Sequence, residues 1–172
     1  MQSPNYPSEP IVPLREELHV VGFESLNTPE EVEKAVKGTK GITMCVINSV
    51  CGCAAGAARP GIALALQNGK IPDRLVTVFA GMEKDAVDLV RGLHAKKAPP
   101  SSPSIIFFKD GECIAVMERG HIEGRPPQEI AEDLVAVFDK LCTKAGPSIP
   151  PEKFATLSHA KICGSTIPRY KG

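Results

Sequence analysis

Two thiols stand one residue apart at Cys51-Gly52-Cys53, between the apolar run Ile42-Thr43-Met44-Cys45-Val46-Ile47 and the small-residue stretch Ala54-Ala55-Gly56-Ala57-Ala58. A strand that hands over to a helix here leaves the pair at a helix N-terminus. There, roughly half a positive charge and unpaired N–H groups favour thiolate over thiol. Thiol–disulfide exchange needs an attacking thiolate and a second thiol close enough to break the mixed disulfide. The spacing gives the attacking role to Cys51, at or just before the first helical turn, and the resolving role to Cys53. With Gly52 alone between them, an internal disulfide closes a tighter ring than in a Cys-x-x-Cys motif, so it is expected to be strained and easily reduced. Glycine suits a backbone forced away from ordinary φ and ψ.

The same pair suits a soft metal, and a zinc- or copper-binding module is the rival reading. A structural zinc takes four ligands. Cys45, Cys113, Cys142 and Cys163 supply no second close pair, so no metal site is expected. Cys45 and Cys113 read as core packing, Cys142 at the end of the last helix as a further redox thiol, and Cys163 as part of the tail. No tryptophan occurs in the chain, and the apolar run carries no carboxylate that could take the proton of Cys53. Ser49, Asn48 or water are left for that task. Arg59 could meet the carboxylate of a small thiol or cap the fold. The cluster Arg119-Gly120-His121-Ile122-Glu123 reads as solvated surface or ion pairs.

Twenty basic and twenty acidic residues cancel, and no Lys/Arg block exceeds two neighbours, which argues against nucleic acid or an anionic membrane as partner. No apolar stretch approaches a membrane span and no leader pattern opens the chain, so a cytoplasmic protein with mostly reduced cysteines is expected.

The elements that must position the pair follow from periodicity and punctuation. Residues 1–12 form an arm. A helix opens near Pro13 with Leu14, Leu18 and Val21 on one face and closes at Gly22, and residues 23–26 give a short strand. Thr28-Pro29-Glu30-Glu31 has the pattern of a capping box, opening a helix that ends at Gly38. The run 42–47 lacks alternation, as a strand buried on both faces should. An alanine-rich helix over 54–68 is expected to kink at Pro60. A strand over 75–80 and a helix over 85–93 follow. A Pro/Ser connector then runs into a strand over 104–108, the hairpin turn Asp110-Gly111 into a strand over 113–117, and a last helix covers 127–142. Residues 143–172, with prolines 147, 150, 151 and 168, read as an extended or mobile C-terminal extension.

This order is that of a thioredoxin-like three-layer α/β/α sandwich: a central mixed sheet, here with an extra N-terminal helix before it and the extension after it, the domain covering residues 13–142. In that topology Pro103, preceded by Ser102, opens the strand that faces the cysteines, where a cis peptide would expose backbone to a substrate chain.

The segment Val46-Ile47-Asn48-Ser49-Val50-Cys51-Gly52-Cys53-Ala54-Ala55-Gly56, with Ala58-Arg59-Pro60, resembles the active-site segment of the bacilliredoxins. Thr77-Val78-Phe79-Ala80-Gly81, Pro99-Pro100-Ser101-Ser102-Pro103-Ser104, Ile122-Glu123-Gly124 and Cys142 also look like family segments, so the likeness covers about residues 12–142. It departs at Arg119-Gly120, where the family commonly has histidine after the arginine. The resemblance implies removal of bacillithiol from protein mixed disulfides, with Cys51 attacking, Cys53 resolving, and Gly52, Ser102 and a cis Pro103 binding substrate. Bacillithiol is then a co-substrate and no cofactor is bound. The implied partners are bacillithiolated or disulfide-containing proteins and a thiol or reductase that regenerates the pair. General disulfide reduction or isomerisation is the alternative that the same two thiols support.

Overall fold

The computed structural model describes residues 1–158 and 169. Its centre is a five-stranded sheet of β1 (Glu24–Ser25), β2 (Ile42–Asn48), β4 (Arg74–Phe79), β5 (Ser104–Lys109) and β6 (Glu112–Met117), in the order β1-β4-β2-β5-β6. β1 and β2 run parallel to β4, β5 runs antiparallel to β2, and the hairpin returns β6 antiparallel to β5. The hairpin turns at Asp110-Gly111, where both residues take positive φ, at 51° and 84°.

Every residue of β2 is buried, as its unbroken apolar run required. Its side chains divide between two core layers because successive residues point to opposite faces. Ile42, Met44 and Val46 join a cluster with α1 (Val12–His19), α3 (Arg59–Ala65) and α5 (Pro127–Leu141). Cys45 and Ile47 join the opposite cluster with α2 (Pro29–Gly38) and α4 (Lys84–His94). The result is the three-layer sandwich with a mixed sheet expected from the element order. α2 opens as its sequence dictates: the Thr28 side chain accepts from the Glu31 N–H, and the Glu31 carboxylate accepts from the Thr28 N–H.

Three segments differ from the sequence expectation. The helix after the cysteines changes its pitch ahead of Pro60. It runs through a π turn at Ala54–Ala58 and becomes regular α3 at Arg59, so that Pro60 falls in the first turn of the α segment, where its missing N–H costs least. It also stops at Ala65 rather than residue 68.

The N-terminal arm is packed against the domain. Asn5 N–H donates to Gly81 O at 2.6 Å, a 3₁₀ turn forms at Glu9–Ile11, and Tyr6 and Ile11 bury against Leu14 and Phe79.

Residues 143–157 are docked, not extended or mobile. β7 (Lys144–Ala145) pairs antiparallel with β3 (Lys70–Ile71), and Ser148 N–H donates to Leu66 O. Ile149 enters the core, and α6 (Pro151–Ala155) brings Phe154 and Leu157 against it. The prolines here punctuate structure: the Gly146–Pro147 peptide is cis and Pro151 opens α6. Elements this short carry too few residues for a period to register in sequence. Cys163 and the rest of 159–168 and 170–172 lie outside the described residues.

Candidate active site

β2 ends at Asn48, and the next two residues, Ser49 and Val50, lead to the cysteines. Asn48, buried, donates from Nδ2 to Leu14 O at 3.0 Å, and its Oδ1 accepts from Ser49 N–H at 2.8 Å. Arg59 Nη1 reaches the same Oδ1 at 3.1 Å and Ser49 O at 3.0 Å, so the turn before the pair is tied down from beneath. Arg59 is 1% exposed and ion-paired with Glu17 of α1 through Nε to Oε2 at 2.7 Å. The suggestion that Arg59 meets a thiol's carboxylate is therefore corrected: it is sealed in the core and anchors the loop. Glu17 is a buried carboxylate supplied by a helix, and it pairs with Arg59. Its position on the stripe of Leu14, Leu18 and Val21 was the one sequence signal for it.

Cys51 is the N-cap of the helix. Its carbonyl accepts from Ala54 and Ala55 N–H, and its sulfur accepts from Ala54 N–H at 3.4 Å, as a serine or aspartate oxygen does in that position. Ser49 Oγ donates to the same sulfur at 3.1 Å. Partial burial pushes the Cys51 thiol up. The donors from Cys53, Ser49 and Ala54, with the charge of Arg119, outweigh that and hold its pKa below the ordinary thiol value.

Cys53, two positions beyond the N-cap, goes the other way. Burial, its hydrogen bond to Cys51 and the Cys51 charge raise it to about 11, against the pull of Arg119. Two neighbouring thiols thus have opposite protonation preferences, an attacker and a reserve.

The Ser102–Pro103 peptide is cis. Ser104 stands opposite Ile47 across β5 and β2, which puts Pro103 just beyond the cysteine end of β2. The loop is stitched in place: Ser104 Oγ donates to Ser101 O at 2.9 Å, and Arg119 N–H donates to Ser101 Oγ at 3.1 Å. Ser102 and Cys51 share the wall of a cleft of about 280 Å³, with Ser49, Tyr6, Arg91, Arg119 and Arg169. Gly52 is exposed, with open space where a Cβ would stand.

Among the described residues, the other thiols are not brought to this site. Cys45 is fully buried and pushed up to about 12 by desolvation, and Cys113, half-buried, is also raised. Cys142 is 3% exposed and raised to about 11 by burial, then by Asp73 and Asp139. Asp73 precedes β4, at the end of the sheet opposite Cys51, so Cys142 is a packed thiol about 20 Å of strand away from the pair. His121 and Glu123 are exposed, Glu123 paired with Arg119 at 3.1 Å. Among the described residues no three His, Cys, Asp or Glu side chains gather as a metal cage, and no helix is long and apolar enough to cross a membrane.

Comparison with known proteins places this geometry. The family model described as disulphide isomerase matches residues 6–142. A bacilliredoxin of Salinibacter ruber is 45% identical over 150 residues, 86% of this chain and 87% of that one. One of Cytophaga hutchinsonii is 49% identical over 136 residues, 79% and 99% of the two chains. A solved structure described as having a thioredoxin fold superposes with a TM-score of 0.51 at 17% identity, covering 68% of this chain and 97% of that chain. Fold and thiol pair define a thiol–disulfide oxidoreductase on a thioredoxin-like scaffold. Within that class, the chain belongs to the bacilliredoxin family.

Proposed function

We propose that the chain removes bacillithiol from mixed disulfides on proteins, using Cys51 and Cys53 in succession. The observation that carries the reading is the asymmetry of the pair: an N-capping sulfur with three donors beside a thiol held protonated. The bacilliredoxin names of its relatives support bacillithiol as the thiol carried.

In the first step the Cys51 thiolate attacks the bacillithiol sulfur of a protein–S–S–bacillithiol bond. A Cys51–bacillithiol disulfide forms and the protein sulfur leaves as thiolate, to be protonated by solvent. The attack removes the negative charge and the hydrogen-bond acceptor at Cys51, two of the causes that hold Cys53 protonated. Cys53 then loses its proton more readily, with Arg119 still favouring the anion. No dedicated base is needed to switch it on: the first step does so.

In the second step the Cys53 thiolate attacks Cys51 Sγ, forming the Cys51–Cys53 disulfide and releasing bacillithiol as thiolate. Two electrons from an external thiol or a disulfide reductase return the pair to the dithiol. Bacillithiolated proteins and that reductant are the partners, in a reducing cytoplasm.

The test is trapping with a protein bacillithiol mixed disulfide as substrate. Cys53→Ser should accumulate a mass gain of one bacillithiol less two hydrogens, located at Cys51, and Cys51→Ser should accumulate none. Equal trapping by both variants refutes the assigned roles. Turnover of ordinary protein disulfides, with no turnover of the bacillithiol conjugate, replaces this reading with general disulfide reduction.

A further inference from the structure

We infer that Arg91, Arg119 and Arg169 form an anion subsite beside Cys51 that binds the carboxylates of the small thiol carried on that sulfur. The inference rests on Cys51 being the nucleophile. It adds a recognition site to which the C-terminal extension, beyond the family-matched residues 6–142, contributes a side chain.

The three guanidinium groups reach one cleft from three separate parts of the chain: Arg91 from α4, Arg119 from the turn after β6, and Arg169 from the extension. No carboxylate is among the described residues lining that cleft. Glu123, with 60% of its own side chain exposed, pairs with Arg119 through Nε and Nη2, which leaves Nη1 of that guanidinium for a ligand. Arg91 lines the cleft, and its Nε is buried without a hydrogen-bond partner among the described residues. Arg169 is held over the cleft by Tyr6: its Nε donates to the phenol oxygen at 3.1 Å, and the guanidinium lies 5.6 Å from the ring centre. Tyr6 is fixed in turn, 5% exposed and packed on Gly81, where a Cβ would come within 2.8 Å of the ring.

Arg91 and Arg169 bring two further cationic groups to the sulfur beside the paired Arg119, a local excess of positive charge that favours an arriving anion. Planar guanidinium groups suit carboxylates because they offer paired N–H donors. The volume of about 280 Å³ lies near the lower end of the range for small-molecule sites.

The experiment uses the full chain carrying Cys53→Ser, so that the Cys51 mixed disulfide accumulates. One probe is the symmetric disulfide of mercaptosuccinate and the other that of its uncharged diamide. In each reaction the probe S–S bond breaks, a Cys51–S bond forms and one probe thiolate leaves. Mass spectrometry gives both rate constants.

At low salt the charged probe should react about tenfold faster or more, in the range of electrostatic rate enhancements. Arg91→Gln, Arg119→Gln and Arg169→Gln should each cut the charged-to-neutral ratio about threefold or more, by loss of one charge-assisted contact. The neutral probe in each variant corrects for any change in thiolate content. A ratio near one in the parent protein, or a ratio unchanged by Arg169→Gln, overturns the subsite and leaves Cys51 as nucleophile. Reaction with neither probe overturns the nucleophile and the subsite together. A third probe, the disulfide of a cysteine peptide flanked by glutamates, tests the polypeptide alternative. If Arg169→Gln slows that probe alone, the cleft is a protein-binding groove.

Discussion

Replacing Glu17 by glutamine removes one charge from the layer beneath the cysteines while keeping the shape of the side chain. Its partner Arg59 is 1% exposed and Glu17 4%, and the ion pair spans 2.7 Å. Without the carboxylate charge, a guanidinium stays buried with the neutral acceptors Asn48 Oδ1 and Ser49 O. Breaking a buried pair by removing one partner costs about 3–5 kcal/mol, and glutamine Oε1 can still accept from Nε, so about 3 kcal/mol is expected. At about 2–4 °C per kcal/mol for a chain of this size, the melting temperature falls by about 6–12 °C.

The assay is thermal unfolding of the reduced protein by circular dichroism. Glu129→Gln serves as the control, because its pair with Arg125 is exposed and should leave the melting temperature unchanged. A second readout follows the site. Arg59 holds Ser49 O, and Ser49 Oγ donates to Cys51, so alkylation of Cys51 by iodoacetamide should slow at neutral pH in Glu17→Gln. A melting temperature no lower than that of the control would refute the account of the buried pair. A lower melting temperature with unchanged alkylation would refute its link to the thiol.

Other outcomes follow from the same geometry. Ser49→Ala in a Cys53→Ser background removes a donor 3.1 Å from the sulfur, so the thiolate absorbance near 240 nm should titrate at higher pH; a midpoint unmoved or lower contradicts the assigned bond. Cys53 attacks as thiolate, so its resolving rate rises with pH and levels off above its pKa. With the Cys51 charge gone in the mixed disulfide, the midpoint of bacillithiol release should lie below about 11 and move up in Arg119→Gln, and a midpoint at or above 11 would sink the charge-release argument. Gly61→Ala puts a Cβ 2.8 Å from Ile130 Cβ and 3.0 Å from Pro127 O, where α3 meets α5. Overpacking of that contact should cost about 1–3 kcal/mol in denaturant unfolding, and no loss would show that α5 yields freely.

The sequence made the scaffold legible where one local rule acted on many residues. The unbroken apolar run of β2, the Thr28–Glu31 capping box, the Asp110-Gly111 hairpin and the stripe of α5 each specify an element, and together they set the order of the sheet. The thiol pair was equally plain, because two cysteines at a strand-to-helix junction have few other uses. The anchoring of that junction was hidden, since Glu17 and Arg59 lie 42 residues apart and meet only when α1 packs against α3. The arginines of the cleft were hidden for the same reason: Arg91 and Arg169 look like ordinary surface charges until three segments converge. The docked extension eluded periodicity because a two-residue strand and a five-residue helix are held by tertiary contacts, not by propensity.

The π turn at Ala54–Ala58 sets the phase between the two ends of its helix. A turn closed by i to i+5 bonds holds one residue more than an α turn, and each residue of an α-helix advances the face by about 100°. Arg59 looks back at Asn48 and Ser49 with that extra alanine counted in. Were the same residues wound throughout as a regular α-helix, the one residue that the π turn absorbs would carry the arginine about a quarter of a turn away from the loop it secures. The spacing between thiol and anchor is therefore as much a part of the active site as the residues themselves, and no substitution at either end can restore it.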